Sequence, residues 1–500
     1  MSIPRAALRQ LERHIVQPVK PIRSHQRLFA HSPRTIRTFL PSSPRSSRGY
    51  ATVSAAELEF GQPVHETHPH ILKAGEITPG ITAQEYENRR ARFAHSLPDN
   101  AVALLPGADL KFKSPDVFYP YRQESNLLYL TGFLEQESLA VIRKTGPSLG
   151  DYSFDLFCRP KDAEAEQWFG PWSGLQAATD VFNADAAHPI ASLSSVLPGL
   201  IRSASAIYAT LPSDHSLTQA IQPLLPSGVR PLPIQPQVNP LRAIKSPAEI
   251  ANMRHCGRIS GRALTSAMRR QWTQEKDLHT FLTYEFSQQG LDGPAYVPVI
   301  AGGHRGRLIH YVLNNATLAP GSTVLVDAGG EYGFYVSDIS RTWPVSGKFS
   351  GPQRDLYEAV LRVQRACVRL CSESQNLSLD AIHRAAETGL REELRSLGFN
   401  FGSFGGGGDK IKTLFPHHVG HYVGLDVHDV PGYGRGVPLR RGHCVTIEPG
   451  VYVPDDERWP RHFRGLAVRI EDSVCVDEEG PVVLTAEAVK EVVDIEALRD

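Results

Sequence analysis

The chain has 500 residues, with 53 Lys+Arg against 53 Asp+Glu and so no formal net charge. A hydrophobic content of 41% and a charged content of 21% exclude wholesale disorder, the length allows two or three domains with real cores, and no uninterrupted apolar run is long enough to span a membrane. The zero is a sum of opposites: residues 1–50 hold nine Arg, Lys20 and one acid, Glu12, for +9, and the remainder carries −9. A dedicated nucleic-acid binder would show a basic face in its folded part, so no nucleic-acid partner is expected.

Residues 1–50 are Arg- and Ser-rich and nearly acid-free, the composition of a mitochondrial transit peptide. Arg5, Arg9 and Arg13 form one stripe of a helix, and Leu8, Leu11 and Ile15 fall about 130° away. Such a cationic amphipathic helix suits an anionic membrane surface and an import receptor; the plainer reading is a disordered basic tail. No apolar core follows the charges as a secretory signal requires. The segment ends Arg48-Gly49-Tyr50-Ala51, which resembles a site where a matrix processing peptidase cuts after Gly49 and a second peptidase removes Tyr50. Arg37-Thr38-Phe39-Leu40-Pro41-Ser42 is a competing, octapeptide-type site.

Residues 51–80 read as a linker or arm. An α/β domain is expected over 81–240, with a helix from Tyr86 through Phe93 and buried strands at 101–106, 138–143 and 152–159. Pro226, Pro231, Pro233, Pro236 and Pro240 mark a boundary. Ser246, Pro247 and Glu249 then form a capping box that opens a long helix to about Arg270. Over 245–490 the text turns β-rich at 324–326, 335–345, 445–453 and 466–476, with helical periodicity at 351–371 and 379–397. Gly329 to Gly333 reads as a hairpin connection. Gly405–Gly408, inside a glycine-rich stretch from Phe401 to Phe415, reads as a loosened loop; it lacks the context of a phosphate-binding loop. Six cysteines without paired spacing read as reduced, buried thiols of a non-secreted protein, with Cys367 and Cys371 on one helix face.

Asp327, Asp338, Glu448 and Glu471 each sit in apolar strand text, and residues 417–429 are dense in histidine. A lone buried carboxylate costs several kcal/mol, roughly the residual desolvation penalty of an ion, unless it is paired or bound to metal. One such acid is most simply a salt-bridge partner. Four, with a histidine cluster, point to a shared divalent site, and four negative charges match two M²⁺ ions. Oxygen-rich ligation with one imidazole favours a hard or borderline metal such as Mn²⁺.

The order Asp327, Asp338, His421, Glu448, Glu471, with the words VDAGGEY, SDISRTWPVSGKF, GHYVGLDVHD, TIEPGVYV and VRIED, resembles the dinuclear centre of the pita-bread metallopeptidases. Tyr119-Pro120-Tyr121-Arg122-Gln123-Glu124-Ser125-Asn126, Tyr129 to Phe133, and Arg159-Pro160-Lys161 through Trp168-Phe169-Gly170 resemble the aminopeptidase P branch. With the leader, the resemblance narrows to the mitochondrial, intermediate-cleaving members of that branch. It implies an α/β N-terminal domain of the creatinase/aminopeptidase P type and an α+β pita-bread catalytic domain. It implies that Asp327 chelates one metal, Asp338 and Glu471 bridge both, and His421 and Glu448 complete the second. A metal-bound hydroxide would attack the peptide carbonyl, Glu448 would shuttle the proton, and His428 would stabilise the oxyanion. His310 would contact substrate, His417 would be a third pocket histidine, Arg469 would hold nearby acids by bidentate pairing, and Tyr296 would line the pocket. For His310 and His417 the alternative is a satisfied core histidine. His418 and His443 match nothing in the family and read as structural or surface residues.

The implied activity is removal of one N-terminal residue, Tyr, Phe or Leu, from preproteins already cut by the processing peptidase. The implied partners are peptide and preprotein N-termini, and the implied location is the matrix or the matrix side of the inner membrane, with peripheral membrane contact and homo-oligomers left open. Two enzyme alternatives share the same machinery: a general Xaa-Pro aminopeptidase and a dipeptide-only prolidase. A non-catalytic pita-bread binding module is the alternative from another class. The end of the leader, Arg48-Gly49-Tyr50, itself looks like a substrate for the expected activity.

Overall fold

The computed structural model describes residues 60–402 and 408–499. The leader, with its arginine stripe and both processing patterns, lies outside the described residues, as do Gly405, Gly406 and Gly407. Gly408 opens a helix that runs to Leu414, so the second half of the expected loop is helical.

The N-terminal domain is built on a five-stranded mixed sheet. Its order is Ala186–Pro189, Tyr152–Cys158, Leu139–Lys144, Val102–Pro106 and Ile207–Ala209; the two outer pairs are parallel and the two inner pairs antiparallel. Alternation along the interior strand Val102–Pro106 serves two cores. Ala103 and Leu105 face Phe93 of the helix Ala83–Ser96 and Leu127, and Val102 and Leu104 face Leu197 and Ile221. Burial on both faces explains why this strand is continuously apolar.

Residues 60–80 pack down despite their polar composition. Phe60 and Val64 cluster with Ala177. The buried Gln62 side chain donates to Gly132 O at 2.9 Å and accepts from Leu134 N at 2.8 Å. Part of the expected boundary is also ordered: Gln235–Ala243 is a helix that contains two prolines. Pro236 stands in the first turn, where an N–H has no helical partner, and Pro240 forfeits a single bond. The helix Pro247–Met268 follows with its Ser246–Glu249 capping box.

The catalytic half pairs strands in antiparallel fashion and wraps them with long helices. Val299–Gly302, Thr323–Asp327 and Ser340–Pro344 form one sheet, and Cys444–Ile447, Asp472–Val476 and Pro481–Val483 another; Gly450–Tyr452 pairs with Ala467–Arg469. The helices Gly351–Arg369 and Leu379–Ser396 bury Leu356, Val360, Ile382 and Leu390 into the core that holds Val326, Ile447 and Ile470. The hairpin lies further along than the sequence suggests. Gly330–Tyr332 is a strand paired with Tyr335–Val336, and the turn is Gly333-Phe334, both at positive φ (55° and 71°). Two positive φ values suit the right-handed strand twist, and the paired glycines Gly329 and Gly330 lie before the turn instead. All six cysteines are buried and free.

A second apolar cluster crosses the domain boundary: Phe93, Leu127, Leu130 and Val238 pack with Met253, Tyr335, Val423 and Cys444. No helix among the described residues is long and apolar enough to cross a membrane.

Candidate metal centre

Breaks in regular structure bring the four carboxylates and the imidazole together. Asp327 is the last residue of its strand, and Asp338 lies between Tyr335–Val336 and Ser340–Pro344. Glu448 follows Cys444–Ile447, and Glu471 sits between Ala467–Arg469 and Asp472–Val476. The sequence pattern places every acid inside a β-run; three of the four occupy gaps instead. A continuous ladder fixes each residue opposite one partner. At the changeover from the Ile447–Asp472 pair to the Gly450–Arg469 pair that constraint lapses, and Glu448 and Glu471 lie there together.

The Tyr296 hydroxyl lies 2.6 Å from Oδ1 of both Asp327 and Asp338. His421 Nε2 is 3.5 Å from Asp338 Oδ2 and 3.6 Å from Glu448 Oε1. Ligand atoms of Asp338, His421 and Glu471 all fall within 4.8 Å of one another. His421 Nδ1 is 3.0 Å from Tyr422 O. A carbonyl can only accept, so Nδ1 carries the proton, and Nε2 faces the carboxylates as a metal-ligating imidazole requires.

The electrostatics are those of a site short of positive charge. Burial raises Asp327 to about 6, against the opposing pull of Arg469. Burial likewise raises Glu448 to about 7 even though His421 and Arg469 favour its charged form. Glu471 is pushed well above the carboxylate range by burial and then by Asp338, Glu448 and Asp327. Asp338 alone among the four goes down: burial opposes, but the hydrogen bond and charge of His421 prevail. His421 answers in kind; burial pulls it down, and Asp338 and Glu448 push it up to about 9. One histidine and one arginine thus face four acids, of which Asp338 and Glu471 are buried and Asp327 and Glu448 partly so. The donor set, four carboxylates and one imidazole without thiolate, fits divalent metal ions of hard or borderline type.

Arg469 does not grip one acid with both prongs. It donates to Asp327 Oδ2 at 2.7 Å, to Ser340 Oγ at 2.6 Å and to the Tyr452 hydroxyl at 2.9 Å. The expected bidentate pair is absent because the fork is divided among three partners. Ser340 Oγ in turn donates to Glu471 Oε2 at 2.7 Å. Tyr452, to which the sequence alone assigns no role, lies 2.8 Å from His417 Nε2, and His417 Nδ1 lies 2.9 Å from His418 O. One proton arrangement satisfies this chain: Arg469 donates to Tyr452, Tyr452 to His417 Nε2, and Nδ1–H to the carbonyl. His417 is therefore neutral, and burial followed by the charge of Arg469 lowers it to about 3. Its Nδ1 is 3.7 Å from Glu448 Oε2. The signal for Tyr452 is its position four residues beyond Glu448, on the short strand whose partner ends at Arg469.

His428 packs edge-on against His421 with ring centroids 4.5 Å apart. It is exposed, as is His310, which stands on the turn after Gly303–Arg307. These two histidines form a rim, whereas His417 is built into the floor. His418 pairs with Asp380 at 3.2 Å and stacks on His383, and the buried His443 accepts from Arg440 N at 3.1 Å; both roles are structural.

Residues 251–478 match the metallopeptidase family M24, and residues 86–208 match the aminopeptidase P N-terminal domain. The chain belongs to that family, as a metallo-aminopeptidase whose catalytic half has the pita-bread fold. Among individual proteins, it is 41% identical to intermediate cleaving peptidase 55 of Saccharomyces cerevisiae, over 97% of this chain and 96% of that protein. It is 34% identical to the Arabidopsis thaliana protein named intermediate cleaving peptidase 55, mitochondrial, over 91% of this chain and 90% of the other. A crystal structure of the yeast peptidase lacking its first 58 residues superposes with a TM-score of 0.80 at 43% identity, covering 85% of this chain and 99% of that one.

Proposed function

We propose that this chain is a mitochondrial aminopeptidase that removes a single N-terminal residue from preprotein intermediates after processing-peptidase cleavage. The observation that carries this reading is near full-length similarity to an intermediate cleaving peptidase, joined to a leader of transit-peptide composition that ends Arg48-Gly49-Tyr50. The matrix, or the matrix side of the inner membrane, is the corresponding location.

In this reading Asp327, Asp338, His421, Glu448 and Glu471 would hold two divalent cations, and Mn²⁺ would suit the oxygen-rich donor set. Bound there, the cations supply an activated water and polarise the scissile carbonyl. The chain's own side chains do the rest. Glu448 takes up the proton released on attack and returns it to the leaving amine. His428, on the rim beside His421, donates to the developing oxyanion. His310, across that rim, contacts the peptide. His417, kept neutral by its two hydrogen bonds, flanks Glu448 with Nδ1 3.7 Å from Oε2. Tyr296 pins Asp327 and Asp338 in register.

The test is N-terminal peptide profiling of mitochondria lacking the protein. Intermediates one residue longer than the mature forms, beginning with Tyr, Leu or Phe, accumulate if the reading is right. Unshifted N-termini, with Xaa-Pro peptides cleaved by the purified enzyme, would support instead a general Xaa-Pro aminopeptidase, the reading that the aminopeptidase P-type N-terminal domain favours.

A further inference from the structure

The segment that carries His428 is tethered from outside the catalytic domain. Arg122 of the N-terminal domain donates to Leu425 O and, at 2.8 Å, to Glu331 Oε1. Ser125 Oγ donates to Asp426 Oδ1 at 2.6 Å. Arg242, in the helix between the domains, donates through one nitrogen to Asp426 Oδ2 at 2.7 Å and Asp429 Oδ1 at 2.5 Å. Its other terminal nitrogen donates to Asn126 Oδ1 at 2.7 Å. Lys245 completes Asp429 at 2.9 Å, and Asn239 donates to Pro431 O at 2.8 Å.

Arg242, Lys245 and Asp429 are buried, so these are ion pairs sheltered from solvent, where loss of one partner is felt strongly. The fit is close. A Cβ on Gly424 would lie 2.5 Å from Asp429 Oδ2 and 2.8 Å from Lys245 Cε, so the backbone entering the segment is packed against the pair itself. Asp429 directly follows His428, and Asp426 stands two residues before it. Every tether named here comes from residues 122–126 or 239–245, upstream of the stretch 251–478 that matches the catalytic family.

We propose that Arg242, supported by Ser125, is a positioning residue for His428, so that the N-terminal domain and the helix behind it complete the active site of their own chain. The motif from Tyr119 to Asn126 thereby acquires a physical role, because its Arg122, Ser125 and Asn126 all reach toward residues 425–429, directly or through Arg242. The proposal rests on the oxyanion role assigned to His428. Arg242→Lys keeps the charge but cannot span Asn126, Asp426 and Asp429 with one planar group.

The experiment is a double-mutant cycle on the full-length metal-loaded enzyme: wild type, Arg242→Lys, His428→Ala and the double variant, each with kcat and KM measured separately. Arg242→Lys lowers kcat about tenfold and moves KM less than about twofold, as expected of a misplaced catalytic group. In the His428→Ala background the same substitution changes kcat by less than about twofold, because the group it positions is gone. Equal losses in the two backgrounds, or wild-type kcat for Arg242→Lys, overturn the proposal. A His428→Ala enzyme with unimpaired kcat removes the role of His428 and the proposal with it; an impaired one with additive losses removes the positioning claim alone. Where Arg242→Lys does not fold, Ser125→Ala enters the same cycle. It deletes one hydroxyl and no charge, and additive or absent effects there overturn the proposal equally.

Discussion

Glu471 and Asp472 are neighbours in sequence and both are buried, yet the chain treats their charges in opposite ways. Asp472 has each oxygen doubly met: Oδ1 by Arg341 at 2.7 Å and Thr485 at 2.8 Å, Oδ2 by Lys490 at 2.6 Å and Gln364 at 2.9 Å. Burial would raise its pKa, but Arg341 and Lys490 outweigh burial and hold it below the usual carboxylate value. Glu471 accepts from the Ser340 hydroxyl and faces three further acids. Arg469, whose charge acts on it, divides its fork among Asp327, Ser340 and Tyr452. One carboxylate is a finished structural ion pair. The other belongs to a cluster of acids in which Asp338, Glu448 and Asp327 push its pKa up and Arg469 opposes them. Burial of an acid says little by itself; whether the chain supplies its own cation separates scaffold from metal site.

The largest test removes the acid to which the proposed function gives two duties. Glu448→Gln, as ligand and proton carrier, is expected to cut kcat/KM about 10⁴-fold, the upper range for a general acid–base group, with an unchanged circular dichroism spectrum. Unaltered turnover by the purified variant contradicts the assignment. Next come the neighbours themselves, compared by urea unfolding of the metal-free protein. Asp472→Asn strands Arg341 and Lys490 and should cost about 3–5 kcal/mol. Glu471→Gln relieves repulsion and should be neutral or stabilising. Equal destabilisation by the two variants breaks the comparison. A smaller effect sharpens it. Adding Mn²⁺ at 100 times its Kd should stabilise the wild type and Asp472→Asn by about 2.7 kcal/mol per bound ion through mass action, seen as a rise in Tm; Glu471→Gln should lose much of that rise. The smallest expected effect is that of Tyr452→Phe, which interrupts the Arg469–Tyr452–His417 relay. It should lower kcat by roughly tenfold or less, about the net worth of one ordinary hydrogen bond, with metal content intact.

Much of this site is legible in the sequence because its chemistry is local. Each ligand comes with its own flanking word, and a buried acid in apolar text is a visible anomaly. What the sequence conceals depends on side chains distant in the chain. Arg469 looks like a bidentate partner for the nearby acids, and nothing along the chain says that Ser340 and Tyr452 compete for its nitrogens. Tyr119 to Asn126 is noticeable as a motif, but its partners lie some 300 positions away, at Leu425 and Asp426. The shifted hairpin has another cause: Phe334 at positive φ is unusual for an aromatic residue, so glycine spacing points to the wrong pair. Residues 60–80 look like a linker because their anchorage relies on the two hydrogen bonds of Gln62 as well as on Phe60 and Val64, and hydrogen bonding leaves no mark on hydropathy.

The central claim is that the charge missing at Asp327, Asp338, Glu448 and Glu471 is supplied by metal. Elemental analysis of the purified full-length protein, with its Glu471→Gln and Asp472→Asn variants, tests it most directly. The account predicts about two divalent ions per chain for the wild type and for Asp472→Asn, and fewer for Glu471→Gln. Less than about one ion per chain in folded wild-type protein, after incubation with excess Mn²⁺, would contradict it.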